Sequence, residues 1–425
     1  MTEPTPWTRR HFIQRGTALA SMAATAPLFI QRASEAMCLP LGSMLSSLAG
    51  VPQDHVLVVV QLAGGNDGLN TVVPYGSSDY YKKRPQLAIA APGKGNEAAL
   101  ALPGADGLGL HPAFSGFHEL FDNGLGCIVQ GIGYPNPNRS HFSSMDIWHT
   151  ADTSGRDNGW LGRYFDNTCK GTPETASGIA LGNAAPLAMQ GAKSLPVSFE
   201  SPDLYRWMGE DFGDDVASAF KSVPGKHDSG TDDNLAFLKR TALDAQMSSN
   251  QVRKAVSVSP LTSWSGGDLA TQLQTVAALV RAGMSTRVYY VTLGGFDTHA
   301  NQEGSHQRLL RQVGDSLLSF QNELKAQGND GRVLTMVFSE FGRRVGENGS
   351  GGTDHGTAAP MYLVGPMVKP GIHGTHPSMT NLDDGDLKFT ADFRQVYAAA
   401  LKNWMGADAD TILRKRWNPA PVLKS

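Results

Sequence analysis

His55-Val56-Leu57-Val58-Val59-Val60-Gln61-Leu62-Ala63-Gly64-Gly65-Asn66-Asp67-Gly68 is a continuous β-branched run that ends in a glycine-rich polar turn. A strand that is apolar at nearly every position, and not only at alternate ones, is covered on both faces, as in the interior of a parallel sheet. The turn then delivers an aspartate where a central strand stops. Working outward, Gly126 to Gly131, Gly178 to Leu181, Arg287 to Leu293, Val333 to Phe338 and Met361 to Val364 read as further short buried strands. Helical periodicity separates them at Ala113 to Asp122, Leu269 to Ala282, Gln307 to Gln327 and Phe393 to Met405. Strand alternating with helix predicts an α/β fold, a doubly wound, mostly parallel sheet with helices on both faces. Ligands of such sheets bind beyond the carboxyl ends of the strands, so the residues just after each strand are the candidates for chemistry.

Composition agrees with that class. Forty-eight glycines in 425 residues suit a loop-rich enzyme fold better than a helical bundle. A net charge of −3 without a basic run argues against a nucleic-acid partner. Cys38, Cys127 and Cys169 are too few, and odd in number, for disulfides to hold the fold, and Cys127 reads as core. From 201 to 265 the chain turns polar and rich in Asp and Ser, as a small cap-like helical insertion would.

At the amino end, Thr8-Arg9-Arg10-His11-Phe12-Ile13-Gln14 leads into the weakly apolar run Gly16 to Ile30. This is the pattern of a twin-arginine export signal, read by the twin-arginine translocase, which carries proteins already folded. The run is too short and too rich in Ala, Thr and Ser to span a bilayer. Small residues in Ser34-Glu35-Ala36 place cleavage after Ala36. The expected organisation is a signal peptide over 1–36 and one α/β domain over 37–425, periplasmic or extracellular, with no membrane span after signal removal. Export in the folded state suits a protein loaded with its cofactor beforehand.

The strand ends concentrate metal-ligating types. Asp67 follows the first strand, Asp297 and His299 follow the Arg287 strand, Glu340 follows Phe338, and His355 lies in Gly352-Thr353-Asp354-His355-Gly356-Thr357. Mixed carboxylate and imidazole donors suit zinc, manganese or iron better than calcium. A second constellation, Asn138-Arg139-Ser140-His141-Phe142-Ser143-Ser144-Met145-Asp146-Ile147, opens a helix after the strand at Cys127. Ser140 or Ser143 there is either a helix cap or a nucleophile activated by a metal, with Arg139, Arg343 or Arg344 holding an oxyanion.

These strand-end residues resemble those of the alkaline-phosphatase and sulfatase superfamily, which includes the cofactor-independent phosphoglycerate mutases. Leu62 to Asp67 is similar to the first-strand aspartate motif, and Ser140 to Ile147 to the mutases' nucleophile helix. His111-Pro112-Ala113-Phe114 is similar to a Thr-Pro segment of the superfamily. Ser339-Glu340-Phe341-Gly342 stands where an Asp-His-Gly is usual, and His355 to Tyr362 looks like the last metal histidine with its proline and strand. Together with the signal, Gly64 to Asn70 and Gly295 to His299, the pattern resembles an uncharacterised bacterial exported family of that superfamily.

The resemblance implies a metal-dependent hydrolase of phosphate or sulfate esters, taking an anionic small-molecule or polymer ester. Asp67, Asp297, His299, Glu340 and His355 would be ligands of zinc or manganese, and Ser140 the nucleophile with Arg139 and Arg343 beside it. Phe341, where two-metal members have histidine, favours one metal over two. Asp297 and His299 are two apart where four is usual, which leaves His306 as an alternative to His299. The rival expectation is a non-catalytic exported binding protein that retains the fold.

Overall fold

The computed structural model describes residues 54–95, 97–168, 178–194, 196–202 and 249–424. The expected signal segment, Cys38, Cys169 and most of the expected insertion, residues 203–248, lie outside the described residues.

The main sheet has nine strands: β1 (Val56–Leu62), β2 (Gly126–Gly133), β3 (Gly178–Leu181), β4 (Val197–Phe199), β5 (Val288–Leu293), β6 (Val333–Phe338), β7 (Ala359–Val364), β8 (Gly371–His373) and β9 (Ala391–Asp392). Their order is β8-β2-β7-β6-β1-β5-β3-β4, with β9 also on β2. β1 is central, parallel to β5 and to β6, with Val60 opposite Val291 on one side and Val337 on the other. β7 alone in this sheet runs against its neighbours, antiparallel to both β2 and β6. The expected mostly parallel α/β sheet is therefore present.

Every residue of β1 is buried, which explains the unbroken apolar run. Side chains alternate between faces along a strand. Val56, Val58, Val60 and Leu62 accordingly enter one core with helices α1 (Ser115–Asp122), α4 (Gly267–Arg281) and α5 (Gln302–Gln327). Leu57 and Val59 enter the other, with α2 (His141–Thr150), α3 (Trp160–Thr168) and α6 (Phe393–Ala399). Helices thus cover both faces, each presenting an apolar stripe. α5 stops at Gly328, whose left-handed backbone returns its N–H to the Leu324 and Lys325 carbonyls. α6 opens on a capping box of Asp392 and Gln395 and continues as a π-helical turn over Ala400–Trp404, where the sequence reads as one helix. Cys127 is buried in β2, and burial pushes its thiol up to about 12, consistent with a core residue. At the described end of the polar stretch, Val252 and Ala255 pack into the first core.

Candidate metal centre

The topology brings five segments to one edge. β5, β1 and β6 are adjacent and parallel, so their carboxyl ends release Gly294 to His299, Ala63 to Asp67 and Ser339 to Arg344 side by side. β7 runs the other way, so the loop that enters it, Thr353 to Ala358, lies at the same edge; the end of β2 adds the turn into α2. Neighbouring strands are roughly 4.8 Å apart, close enough for side chains of these segments to meet. Close approach sets the glycines here. Gly64 (φ +121°) has no room for a Cβ against the Asp297 backbone, and Gly65 (φ +76°) none against the Phe341 ring.

At this edge Asp297 collects three imidazoles. Its Oδ1 is 3.0 Å from His299 Nε2 and 3.0 Å from His355 Nε2, and its Oδ2 is 3.4 Å from His141 Nε2. The two nitrogens of His299 and His355 are themselves 2.9 Å apart. The far side of each ring is fixed: His141 Nδ1 to Glu340 Oε1 at 2.9 Å, His355 Nδ1 to the Arg139 carbonyl at 2.8 Å, His299 Nδ1 to Asp354 Oδ1 at 3.1 Å. Carbonyl and carboxylate oxygens only accept, so each Nδ1 donates, and in the neutral ring each Nε2 turns a lone pair toward the others. Three lone pairs and a carboxylate facing one another make a site that a divalent cation between them would satisfy. Donors 2.0–2.2 Å from one zinc-like ion stand about 3.0–3.5 Å apart, which matches these separations. His141 Nε2 is moreover buried without a hydrogen-bond partner. His141, Asp297 and His355 offer one ligand atom each, all within 4.8 Å of one another. The donor set and its outer hydrogen bonds fit zinc or manganese.

Electrostatics favour an anionic Asp297. Burial works against its ionisation, but the hydrogen bond and charge of the Arg343 guanidinium, together with the His355 and His299 imidazoles beside it, outweigh it and lower the carboxyl to about 2. The side chain nevertheless remains 47 % exposed, so the centre is open to solvent.

The other expected site residues surround this cluster or stand behind it. Glu340 is buried beneath it, accepting from Gly64 N at 2.8 Å, from His141, and from Ser339 Oγ at 3.1 Å. Arg343, also buried, donates to the carbonyls of Gly64, Gly65 (2.6 Å), Phe296 (2.9 Å) and Thr353 (2.9 Å) and to Asp297 Oδ1 (2.7 Å). It ties four loop positions together and places one positive charge on the cluster. Phe341 packs its ring 5.0 Å from that of His141 and 4.8 Å from that of His355. Arg139 turns its guanidinium to Asp386 and to Asp384 (3.2 Å), while Arg344 also pairs with Asp384 (3.2 Å). Ser140 is the N-cap of α2, exposed, and its side chain makes no capping bond.

Asp67 lies outside the cluster. Arg84 Nη1 is 2.6 Å from its Oδ2, the Gln302 amide donates to the same oxygen, and Asn70 N donates to Oδ1; both members of the ion pair are fully buried. Burial alone would raise this carboxyl, but the charge and hydrogen bond of Arg84 hold it below the usual range. His306 joins the same inner network through Nε2 to Asn66 Oδ1 at 2.9 Å. Gln302 links it to the centre, accepting from Thr298 Oγ1 (3.1 Å) and Thr353 Oγ1 (2.6 Å).

His141, the third imidazole, does not stand out in the sequence, where the serines of that helix start are the evident candidates. Its signal was spacing: residues three apart share a helix face, and Ser144, three on, donates to the Glu340 carbonyl at 2.6 Å while His141 meets the Glu340 side chain. Phe142 between them is 85 % exposed.

Buried neutral histidines predict a pH response. Burial lowers His111 to about 3 and His306 and His149 to about 4, from an ordinary 6.5. Between about pH 6.5 and 4 the unfolded chain takes up protons that the folded chain excludes, so stability falls as pH falls through that window. Each site is expected to cost about 2 kcal/mol at pH 5 relative to pH 7.5. Urea midpoints at the two pH values check this, and an unchanged midpoint would mean these rings are solvated.

Fold and site together define a doubly wound α/β protein with a histidine–aspartate metal-type cluster at the carboxyl edge of its central strands. The chain belongs to the family described as "Protein of unknown function (DUF1501)", which matches residues 113–410 and so includes His141, Asp297, His299 and His355. No curated protein matches it. Among solved structures it is similar to Ps i-CgsB in complex with k-i-k-neocarrahexaose, at 11% identity over 86% of this chain and 77% of that one, TM-score 0.36. The lipoteichoic acid synthase LtaP from Listeria monocytogenes is 9% identical over 82% of this chain and 73% of its own, TM-score 0.29. Alkaline phosphatase from the Antarctic bacterium TAB5 is 11% identical over 73% of this chain and 91% of its own, TM-score 0.28.

Proposed function

We propose that the protein is an exported, metal-dependent hydrolase of phosphate or sulfate esters, of the alkaline-phosphatase and sulfatase kind that its strand-end motifs resemble. The observation that carries this reading is the convergence of His141, His299 and His355 on Asp297, each ring oriented by an acceptor on its far nitrogen. One divalent ion, zinc or manganese, held there would neutralise an anionic ester and lower the pKa of a hydroxyl beside it. A single ion is favoured, because Phe341 and the Arg343 guanidinium fill the space around a second position. Ser140 is the attacking hydroxyl: it is exposed, unused as a cap, and held between Arg139, whose carbonyl accepts from His355, and His141, which donates to Glu340. Attack forms a bond from Ser140 Oγ to phosphorus or sulfur as the alcohol leaves, and water then releases the anion. The twin-arginine signal assigns the protein to the periplasm or the exterior. Among the described residues no helix is long and apolar enough to cross a membrane.

Ser140→Ala should abolish hydrolysis across a panel of phosphate mono- and diesters and sulfate esters while metal content, read by elemental analysis, stays at the wild-type level. Lost activity together with lost metal would mean a collapsed site and no nucleophile. Phe341 also favours a second reading, a binding protein that kept the pocket; wild-type protein with its metal in place and no activity on any ester would select it.

Glu340→Gln tests the outer support. The amide still offers His141 one acceptor oxygen but no charge, so the affinity for zinc should fall about tenfold, the low end of the effect of outer partners. Competition against a chelating dye measures it, and an unchanged affinity would leave Glu340 as a packing residue only.

A further inference from the structure

Asp384 and Gly385 form the tip of a two-stranded hairpin, Leu382–Asp383 against Asp386–Leu387, whose Leu387 carbonyl accepts from Thr357 Oγ1 beside the metal centre. Both tip residues have left-handed backbone, φ +50° and +83°, as a two-residue hairpin turn demands. Asn-Gly serves such a turn as well as Asp-Gly, so the turn does not need the charge of Asp384. That charge stands between two guanidinium groups: Asp384 Oδ2 accepts from Arg139 Nη2 and from Arg344 Nη2, each at 3.2 Å. The other carboxylate of the hairpin, Asp386, pairs with the same two arginines, Oδ2 with Arg139 Nη2 and Oδ1 with Arg344 Nε at 3.5 Å. Asp386 is 1 % exposed and fixes the pair from the interior, whereas Asp384 is 79 % exposed. Arg139 Nε and Nη1 and Arg344 Nη1 have no partner among the described residues. Both arginines adjoin the cluster. The Arg139 carbonyl accepts from His355 Nδ1, and the Arg344 N–H donates to the carbonyl of Asp354, whose side chain holds His299.

We infer that the Arg139–Arg344 pair is a subsite for a second anionic group on the ligand of the metal centre, and that Asp384 occupies it until that group arrives. An exposed ion pair is worth at most about fivefold in an equilibrium, so releasing Asp384 to water, where most of its surface already lies, opposes binding only weakly. A phosphate or sulfate group brings several acceptor oxygens to the free N–H donors, in the forked geometry that a guanidinium matches. The local charge balance is kept, since one anion replaces another while buried Asp386 stays in place. Resting on the hydrolase reading, the ester taken carries two anionic groups, one at the metal and one at the arginines. An uncharged group in the second position gains nothing there and leaves Asp384 where it is.

The test titrates full-length protein calorimetrically with methanesulfonate, which has one anion, and with the α,ω-disulfonates of propane, butane and pentane, which have two. With zinc present and at low salt, the best-fitting disulfonate should bind wild type about tenfold more tightly than methanesulfonate, the gain of one net charge-assisted hydrogen bond. Asp384→Asn keeps the turn, removes the competing charge and should tighten that disulfonate about fivefold. Arg344→Gln should reduce it to the level of methanesulfonate, and Arg344→Lys, which keeps the charge without the fork, should fall between. With a chelator the gain in Asp384→Asn should persist, because the arginines need no metal. In hydrolysis, KM for sulfobutyl phosphate should fall about fivefold in Asp384→Asn, with kcat for butyl phosphate unchanged. No saturable disulfonate binding to wild type, unchanged or weaker binding to Asp384→Asn, or wild-type affinity in Arg344→Gln overturns the subsite. The expected binding pattern in a protein that hydrolyses no ester overturns the hydrolase reading alone and leaves the subsite standing.

Discussion

Asp297→Ala should give a folded protein that no longer retains a divalent ion. Among the described residues Asp297 is the one group that touches all three imidazoles, and its two oxygens divide the work, Oδ1 to His299 and His355, Oδ2 to His141. Losing an outer partner of a metal histidine typically costs 10–100-fold in affinity, so removing this inner carboxylate should cost more than about 100-fold, with hydrolysis falling in parallel. The fold should survive at lower stability, since the buried Arg343 guanidinium loses its carboxylate but keeps its bonds to four backbone carbonyls. Elemental analysis after dialysis against a weak chelator, with circular dichroism as the folding control, reads both halves of the expectation. Wild-type metal content in Asp297→Ala would move the ion elsewhere and remove the basis of the hydrolase reading.

Arg84→Met should act in the opposite way, by destabilising the fold. Arg84 and Asp67 form an ion pair with no solvent exposure on either side, and Arg84 also donates to the Arg344 carbonyl (2.8 Å) and the Val345 carbonyl (2.9 Å), bracing the loop after β6. Removing one partner strands the other as a buried charge, typically 3–5 kcal/mol, against a whole-domain stability of about 5–15 kcal/mol. The double replacement Asp67→Asn with Arg84→Met removes both charges and should recover much of that loss. Asp67→Asn alone should keep its metal, because the side-chain hydrogen bonds of Asp67 run inward to Arg84, Gln302 and Asn70. Chemical denaturation of the three variants decides the first point. Metal loss from folded Asp67→Asn would instead make Asp67 a ligand.

The pH response follows from the same interior. His306 and His111 face one another with ring centroids 5.9 Å apart, so protonating either one is opposed by burial and then by its neighbour. Acid should therefore loosen this inner network while the open cluster above it keeps its solvent contact.

The architecture was legible because it is written in local patterns. An unbroken β-branched run can only be a strand covered on both faces, and alternation with helical periods leaves few ways to arrange such strands. That reasoning also directed attention to strand ends, and Asp297, His299 and His355 do meet there. Strands of two or three residues, such as β8 and β9, were not legible, since so short a segment carries no period and exists through pairing with β2.

The site was only partly legible, and the reason is sequence distance. Charge and hydrogen-bond partners are chosen by packing, and nothing in the local pattern around Asp67 announces that Arg84 will neutralise it, or that Gln302, 235 positions away, will share its oxygen. In the same way, Arg343 offers five donors in its sequence and spends them on loop carbonyls and Asp297, while Arg139 is drawn to a pair of aspartates more than two hundred residues on. His141 became a member of the cluster because β2 and β6 are both neighbours of β7, which brings the start of α2 over Glu340. The sequence by itself determined the fold class and the edge of the sheet at which chemistry would be sought. Only the tertiary structure decided which carboxylate faces the imidazoles and which is sealed against an arginine, because that choice depends on burial, and burial is a property of the packed chain.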